Sequence, residues 1–235
     1  MRASIITTVL DSHEIVRRQT LYLNGIMPDG VEWILVDDGS NPPITMPECR
    51  FPVTVHQTNN FSPWTEREAR RIGVGLSSSD VLICVDIDHI VTGQLIEFVI
   101  NAKHDFCKFR RRFGVLDEHG RLLKDRRTML EYGLSKSRIA KHGLRMTPPG
   151  NCYAISKALF WAALKEEHWD RRLKHRVSRF ARNGVASVCP TKLRPLVYSI
   201  PNGRHCGDVN TNPFGLFHGL PRDSAEYQES EKILI

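Results

Sequence analysis

Residues 80–89 read Asp80-Val81-Leu82-Ile83-Cys84-Val85-Asp86-Ile87-Asp88-His89, five consecutive apolar residues followed by two carboxylates spaced one residue apart. A continuous apolar run of this length, rich in β-branched residues, indicates a strand that is buried on both faces, as in a parallel sheet. Asp86 and Asp88 then lie at its carboxyl end, where open α/β sheets bind their ligands. Because alternate residues of an extended chain point to the same side, we expect both carboxylates to face one ligand.

Two carboxylates placed together are costly to bury unless a cation or hydrogen bonds offset their repulsion. A divalent metal ion, which prefers hard oxygen ligands, would do so. A second interpretation needs no ligand. In it the segment is a polar turn after a strand, and Asp88 caps the next helix.

The composition is that of an ordinary globular protein. The chain has 235 residues, of which 41% are hydrophobic and 25% are charged, so it can bury a sizeable core within one large domain. Its formal net charge of +7 favours an acidic partner, namely a phosphate-bearing substrate, an anionic membrane surface or a nucleic acid.

The cysteines and the apolar runs bear on the compartment. Six cysteines are scattered along the chain without a Cys-x-x-Cys pair, which fits a reducing environment better than a disulfide framework. The apolar stretch near the N-terminus is short and broken by threonines, so it predicts a first strand and not a signal peptide. No run approaches the ~18 apolar residues of a membrane span. We therefore expect a cytoplasmic protein.

Strands and helices alternate through the first half of the chain. Strands are predicted over residues 4–9, 32–36, 51–56, 81–85 and 106–109, and helices over residues 15–26, 65–76 and 93–102. Asp11 is predicted to cap the first helix, with Glu14 completing a capping box. In the second helix, Ala69, Ile72 and Leu76 are expected to face inward and Arg67, Arg70 and Arg71 to lie on other faces. This alternation indicates a doubly wound, mostly parallel sheet flanked by helices.

The second half is more basic and more broken. A hairpin is predicted over residues 115–123, followed by a basic segment over 124–145 that forms either a lid-like loop or a solvated helix. A turn at residues 148–151 precedes a short strand over 152–155 and a helix to about residue 167 that Ser156 caps. A helix over 170–182 and short strands over 185–189 and 196–200 complete the prediction.

Four segments in this order carry a resemblance. They are the first strand with Thr7-Thr8, Val36-Asp37-Asp38-Gly39-Ser40, Ala69-Arg70-Arg71-Ile72-Gly73 and Val85-Asp86-Ile87-Asp88. Each is common alone, but together and at βαβ spacing they are similar to the signature of family-2 glycosyltransferases with the GT-A fold. The resemblance is strong over residues 4–102 and looser over 151–218. It implies one GT-A-like α/β domain over 1–235, with a nucleotide-binding half (1–109) and a small antiparallel, loop-rich acceptor half (110–235).

The resemblance also implies roles for individual residues. Asp37 and Asp38 would contact the base and ribose of a nucleotide, with Thr7 and Thr8 beneath the base and Arg70 near the base and phosphates. Asp88 would ligate a divalent cation, Mn²⁺ or Mg²⁺, that bridges the diphosphate. Asp86 would contact the ribose or the metal ion, and Gly150 the donor sugar or acceptor.

Two further roles fall late in the chain. Members of this fold often add a histidine ligand to the metal ion, for which His218 is the first choice and His205 the second. The general base is expected to be Asp170, although the acidic motif around it, Glu166-Glu167-His168-Trp169-Asp170, departs from the family pattern. Asp170 is equally explained as a helix cap.

The implied function is transfer of a hexosyl or N-acetylhexosaminyl group from a nucleotide-diphosphate donor, UDP-linked by preference, to a glycan or other hydroxyl acceptor, with inversion. One alternative is a catalytically degenerate module of the same fold that binds nucleotide or glycan. Another is a sugar nucleotidyltransferase, but the residues after the first strand contain no glycine-rich phosphate loop. Nucleic-acid binding is disfavoured because aromatic residues are not interleaved with the basic run. Peripheral contact with a membrane stays compatible with the positive charge.

Overall fold

A computed structural model describes residues 1–59, 66–101, 105–132, 134, 136, 139–140, 145–146, 152–165 and 196–199. The strands are β1 (Ala3–Val9), β2 (Val31–Asp37), β3 (Val53–Gln57), β4 (Val81–Asp86), β5 (His89–Ile90), β6 (Phe106–Lys108), β7 (Arg110–Phe113), β8 (Val115–Leu116), β9 (Leu122–Leu123), β10 (Arg145–Met146), β11 (Tyr153–Ser156) and β12 (Leu196–Ser199). The helices are α1 (His13–Asn24), α2 (Glu66–Leu76), α3 (Gly93–Asn101), α4 (Arg126–Glu131) and α5 (Lys157–Lys165).

The main sheet has six strands in the order β3-β2-β1-β4-β11-β6. The pairs β3–β2, β2–β1 and β1–β4 are parallel, whereas β11 is antiparallel to both of its neighbours. β6 therefore runs in the same direction as β4, and β11 alone is reversed within this sheet. The predicted mostly parallel α/β sheet is confirmed.

Two apolar layers cover the faces of this sheet. One contains Ile5 of β1 with buried residues of α1 and α3, and the other contains the next residue, Ile6, with buried residues of α2 and α5. Successive strand residues point to opposite faces, so β1 contributes to both layers. Helices on both faces of a parallel sheet define the doubly wound architecture.

A second sheet has the strand order β10-β7-β12-β5, and β8 and β9 form the predicted hairpin. β5 begins three residues after β4 ends, so the chain passes from the main sheet to the second sheet through Asp86, Ile87 and Asp88. The carboxylate pair thus occupies the junction of the two sheets.

The predicted cap of the first helix is wrong. α1 begins at His13 with Ser12 as its N-cap residue, and no side chain caps it. The Asp11 carboxylate instead accepts a hydrogen bond from the Asn41 backbone N–H at 2.8 Å. Glu14 forms hydrogen bonds with Arg17 and Arg18, so neither acidic side chain closes a capping box. A contact distant in sequence has replaced the local one.

The predicted inward face of α2 is also wrong in part. Leu76 is 43% exposed, whereas Arg70 is only 2% exposed. A side chain added at Gly73 would meet Cγ2 of Ile6 at 2.6 Å, which shows that α2 approaches the sheet most closely at this glycine. Arg70 and Leu76 are each three residues from Gly73, so helical spacing alone does not decide which of them is buried. Arg70 is paired with Asp86 at the end of β4, whereas Leu76 is the last residue of α2.

Several predictions lie outside the described residues. These are the turn at residues 148–151, the helix over 170–182 and the strand over 185–189. In the part of the chain that the structure describes, no helix is both long enough and apolar enough to cross a membrane.

Candidate functional site

The carboxyl ends of four parallel strands lie side by side at one edge of the main sheet. In the strand register, Thr8 is opposite Asp86, Val9 is opposite Asp37, and Asp37 is opposite Gln57. Neighbouring strands are roughly 4.8 Å apart, so this edge extends roughly 14 Å from β3 to β4. The register therefore brings the predicted aspartates of two distant segments to one surface.

Asp37 ends β2 and shapes the loop that follows it. Its carboxylate is 1% exposed and accepts hydrogen bonds from the backbone N–H groups of Ser40 at 2.9 Å and Ile44 at 2.8 Å. Gly39 allows the turn between them because its φ is +98°, which a residue with a Cβ rarely adopts. The described hydrogen bonds of the Asp37 carboxylate are thus within the loop, and its contact with a nucleotide stays a prediction.

The same loop is fixed from both sides. On one side, Ser40 Oγ accepts from the Asp11 backbone N–H at 2.9 Å, and His13 Nε2 donates to the Pro42 carbonyl at 2.8 Å. On the other side, Thr58 Oγ1 donates to Asp38 Oδ1 at 3.1 Å. The loop after β2 is therefore anchored to the segments that follow β1 and β3.

An open pocket of about 290 Å³ lies between the ends of β2 and β3. It is lined by Asp37, Gly39, Ser40, Asn41, Pro43, Gln57 and Asn59. The lining includes three side-chain amides, and each amide offers both hydrogen-bond donors and an acceptor. Such a lining suits a flat heterocycle whose edge carries donors and acceptors. Sequence reasoning missed Gln57 and Asn59, which belong to no motif and are found only through the pairing of β3 with β2.

The two threonines of β1 point to opposite faces of the sheet. Thr7 is buried, and its Oγ1 accepts a hydrogen bond from the Trp33 indole Nε1–H at 2.9 Å. Thr8, which is 7% exposed, lies opposite Asp86 in the register. The described partner of Thr7 is thus a core tryptophan, whereas Thr8 lies beside the carboxylates. Contact of either threonine with a nucleotide stays a prediction.

The carboxylates of Asp86 and Asp88 face one another across the turn between β4 and β5. Ligand atoms of Asp86, Asp88 and His89 all lie within 4.8 Å of one another. The two carboxylates suit a divalent ion such as Mn²⁺ or Mg²⁺, which binds hard oxygen ligands. The imidazole lies beside them. The donor set therefore fits the metal ion that the resemblance implies.

The interpretation of Asp88 as a helix cap is wrong. α3 begins at Gly93, and it is Thr92 Oγ1 that accepts a hydrogen bond from the Leu95 backbone N–H at 3.2 Å. Asp88 lies four residues before Thr92, on the far side of β5. Its carboxylate is therefore directed to the junction of the two sheets and not to a helix terminus.

A buried guanidinium lies against the first carboxylate. Arg70 Nη2 donates to Asp86 Oδ1 at 2.5 Å, and the exposed fractions of the two side chains are 2% and 21%. A buried arginine is stabilised by such a charged partner, because the charge would otherwise lose its hydration without compensation. Arg70 thus contacts one carboxylate of the candidate metal site. Its contact with a base or phosphate stays a prediction.

The second carboxylate is held by its neighbour in sequence. His89 Nδ1 and Asp88 Oδ1 are 2.6 Å apart, and His89 Nε2 faces Arg111 Nη1 at 3.4 Å. The sequence analysis assigns His89 no role in the site, and adjacent residues of a regular strand would point to opposite faces. The turn at Ile87 and Asp88 removes that alternation and brings both side chains together.

Two cysteines adjoin the site without offering a nucleophile. Burial raises the pKa of the Cys84 thiol to about 11, with the positive charge of Arg70 opposing that shift. Burial also raises the pKa of Cys152 well above its usual value. Since the thiolate is the reactive form, both groups are unreactive thiols at neutral pH.

Four predicted site residues lie outside the described residues. They are Gly150, Asp170, His205 and His218. Their roles as donor contact, general base and metal ligands stay predictions.

Comparisons with known proteins agree on the fold. No protein-family model and no curated protein sequence matches the chain. Among solved structures, TarS 1–349 of S. aureus in complex with UDP matches with a TM-score of 0.52 and 16% identity, over 87% of this chain and 62% of that one. The mannosyltransferase PcManGT of Pyrobaculum calidifontis, in complex with GDP-Man and Mn²⁺, matches with a TM-score of 0.51 and 11% identity, over 87% of this chain and 58% of that one.

The chain thus spans about 60% of the length of these two structures. At such low identity the likeness establishes the fold alone. This chain has the GT-A type of mixed α/β fold found in glycosyltransferases.

Proposed function

We propose that this chain is a metal-dependent glycosyltransferase that moves a sugar from a nucleotide-diphosphate donor to a hydroxyl acceptor. The observation that carries the proposal is the arrangement of one sheet edge. The amide-lined pocket after β2 and β3 and the carboxylate pair after β4 lie on the same edge, with β1 between them. Open α/β sheets bind ligands at this edge.

The spacing of the two features suits a nucleoside diphosphate. β2 and β4 are separated by two strand spacings, roughly 10 Å. A base in the pocket would leave its ribose over Thr8 and its diphosphate beside Asp86 and Asp88. We assign Asp37 to shaping the pocket, because both of its oxygens accept backbone hydrogen bonds. Asn41 and Gln57 are then the side chains that contact the base.

The cation would be held by Asp88 together with Asp86. When bound, it supplies positive charge that stabilises the departing diphosphate. Arg70 positions Asp86 through the buried ion pair. The fixed turn between β4 and β5 keeps the carboxylates in place before the donor arrives, which lowers the cost of organising the site.

The proposed reaction is a single displacement. The acceptor oxygen attacks the anomeric carbon of the donor sugar, the bond from that carbon to the diphosphate oxygen breaks, and the nucleoside diphosphate leaves with the electron pair. A general base takes the acceptor proton, and we keep Asp170 for this role. A single displacement of this kind inverts the anomeric configuration. The acceptor half over residues 110–235 would supply the acceptor site.

We propose UDP as the nucleotide and Mn²⁺ or Mg²⁺ as the cation. Support comes from the two structural relatives, one in complex with UDP and one with GDP-Man and Mn²⁺. We also propose a reducing compartment, the cytoplasm. Cys84 and Cys152 are buried thiols outside any disulfide, which accords with that placement.

Titration calorimetry of UDP and GDP, with and without Mn²⁺, tests the donor site. We expect Mn²⁺-dependent binding of UDP that Asp88→Ala abolishes, because the cation and diphosphate lose a carboxylate ligand. Asp80→Ala is the matched control. Asp80 is exposed at the opposite end of the same strand, so its variant should bind as the wild type does. Wild-type protein that binds neither nucleotide under any metal condition would contradict the proposal.

Transfer itself separates an enzyme from a degenerate module. Incubation with UDP-sugars and Mn²⁺ should release UDP slowly even without an acceptor, and Asp170→Asn should lower acceptor-dependent transfer without changing UDP affinity. UDP binding with no turnover of any donor would instead identify a nucleotide-binding module of the same fold.

A further inference from the structure

His89 contacts both the candidate metal site and the basic strand β7. We propose that His89 is a positioning residue that orients the Asp88 carboxylate toward the cation and does not itself coordinate it. This role rests on the proposed metal-dependent function. It adds a residue that the resemblance does not assign and gives it a task different from that of a ligand.

The first argument is the hydrogen bond to Asp88. His89 Nδ1 lies 2.6 Å from Asp88 Oδ1, and the His89 side chain is fully buried. A carboxylate has about four acceptor sites on its two oxygens. One hydrogen bond from a fixed ring therefore restricts rotation of the carboxylate while the group keeps the capacity to coordinate a cation.

The second argument is the tautomer of the imidazole. A guanidinium only donates hydrogen bonds, so the 3.4 Å contact between Arg111 Nη1 and His89 Nε2 places the lone pair of the ring on Nε2. With the lone pair on Nε2, a proton on Nδ1 is donated to Asp88. Arg111 thereby selects the tautomer that Asp88 requires, much as outer partners orient metal-binding groups in other proteins.

The third argument concerns the alternative role as a ligand. A cation on Nδ1 would replace the hydrogen bond to Asp88. A cation on Nε2 would lie beside the positive charge of Arg111, and like charges repel strongly where water is excluded. Both ring nitrogens are therefore better suited to hydrogen bonding than to coordination.

The backbone also holds His89 in a fixed position. His89 begins β5, where it is opposite Ser199 in the antiparallel pair with β12. Gln19 Nε2 donates to the carbonyl oxygens of Ile87 at 2.6 Å and His89 at 3.3 Å. The backbone of the turn that carries Asp88 is thus anchored to α1 and to the second sheet.

Binding of Mn²⁺ in the presence of UDP, followed by electron paramagnetic resonance, tests this role on the full chain. His89→Leu keeps much of the ring volume but removes the donor, and it should weaken Mn²⁺ binding about 10- to 100-fold. His89→Asn keeps an amide donor near the position of Nδ1 and should lose less Mn²⁺ affinity than His89→Leu. His119→Asn, at a histidine whose side chain is 67% exposed, is the matched control and should leave the affinity unchanged.

The spectrum of the bound ion separates the two roles. Pulsed resonance of wild-type protein should show no coupling to a His89 nitrogen, and the preference for Mn²⁺ over Mg²⁺ should be the same in His89→Asn. A nitrogen coupling that disappears in His89→Asn would make His89 a ligand and overturn the proposal. If His89→Leu bound Mn²⁺ as tightly as the wild type, or lost less affinity than His89→Asn, the role of His89 would be limited to packing and the proposal would be refuted.

The same experiment distinguishes this inference from the function beneath it. Wild-type protein that binds Mn²⁺ and UDP, with both His89 variants unaffected, refutes only the role of His89. Wild-type protein that binds neither refutes the proposed function, and the role of His89 with it.

Discussion

Replacing Asp86 by asparagine should destabilise the protein more than replacing Arg70 by methionine, although both changes break the same ion pair. The reason is the difference in burial of the two charges, because 2% of the Arg70 side chain is exposed against 21% of the Asp86 side chain. Asp86→Asn leaves a guanidinium charge in the interior. Arg70→Met leaves a carboxylate that water reaches.

The expected magnitudes follow from that asymmetry. Leaving a buried charge without its ionic partner costs about 3–5 kcal/mol, which we expect for Asp86→Asn. Arg70→Met removes one hydrogen bond to a charged group, for which about 1.5–3 kcal/mol is typical. A change of 1 kcal/mol corresponds to roughly 2–4 °C in Tm for a domain of this size, so the two variants should differ by several degrees.

Urea denaturation of both variants and of the double variant measures these free energies, with Asp80→Asn as the control. The double variant should be less destabilised than the sum of the single variants, because each single variant loses the same ion pair. A loss in Arg70→Met equal to or larger than that in Asp86→Asn would refute the argument from burial. Additive losses would show that the ion pair contributes nothing beyond the two separate side chains.

Two further predictions concern the helices. Gly73→Ala should lower the free energy of unfolding by about 1–3 kcal/mol through overpacking, because its Cβ would lie 2.6 Å from Ile6 Cγ2. Gly75→Ala has no atom within 4 Å of its Cβ and should raise that free energy by up to about 1 kcal/mol. Urea denaturation measures both. Equal effects of the two alanines would contradict the close approach of α2. The hydrogen bond from Arg17 lowers the pKa of Glu14 from 4.5 to about 2. Because the pKa is lower in the folded than in the unfolded protein, the ionised carboxylate stabilises the fold above about pH 4.5. This stabilisation is lost as the pH falls toward 2. The free energy of unfolding of the wild type should exceed that of Glu14→Gln, and this difference should shrink as the pH falls across that range. It should stay below about 1 kcal/mol, since the carboxylate is partly exposed and screened. A constant difference would count against the ion pair.

The candidate site is assembled from segments that are far apart in sequence. Asp37, Gln57 and Asp86 come from three strands, and the register of parallel pairing places them at one edge. Parallel pairing of buried strands leaves little freedom in register, since a shift by one residue would exchange the residues of the two faces. Packing in the core of the sheet thus aligns the polar residues at the carboxyl ends of the strands.

Within the second half, local pattern was enough for some elements and not for others. The hairpin of β8 and β9 and the helix that follows Ser156 were predicted from turn and capping signals, and Ser156 Oγ accepts from the Leu159 backbone N–H at 3.3 Å. That β11 enters the main sheet in reverse was not predicted. Direction depends on where the preceding chain returns to the sheet, which no short sequence pattern encodes.

The sequence by itself determined the α/β class, the order of β1 to β4 with α1, α2 and α3, and the place of Asp86 and Asp88 at the end of a buried strand. These follow from hydrophobic periodicity and from the alternation of short apolar runs with helices. Only the tertiary structure decided the partners of the charged groups. Arg70 lies inward, where it pairs with Asp86, and His89 joined Asp88 because a turn cancels the alternation of a strand. Contacts of that kind depend on packing between distant segments, so local sequence cannot specify them.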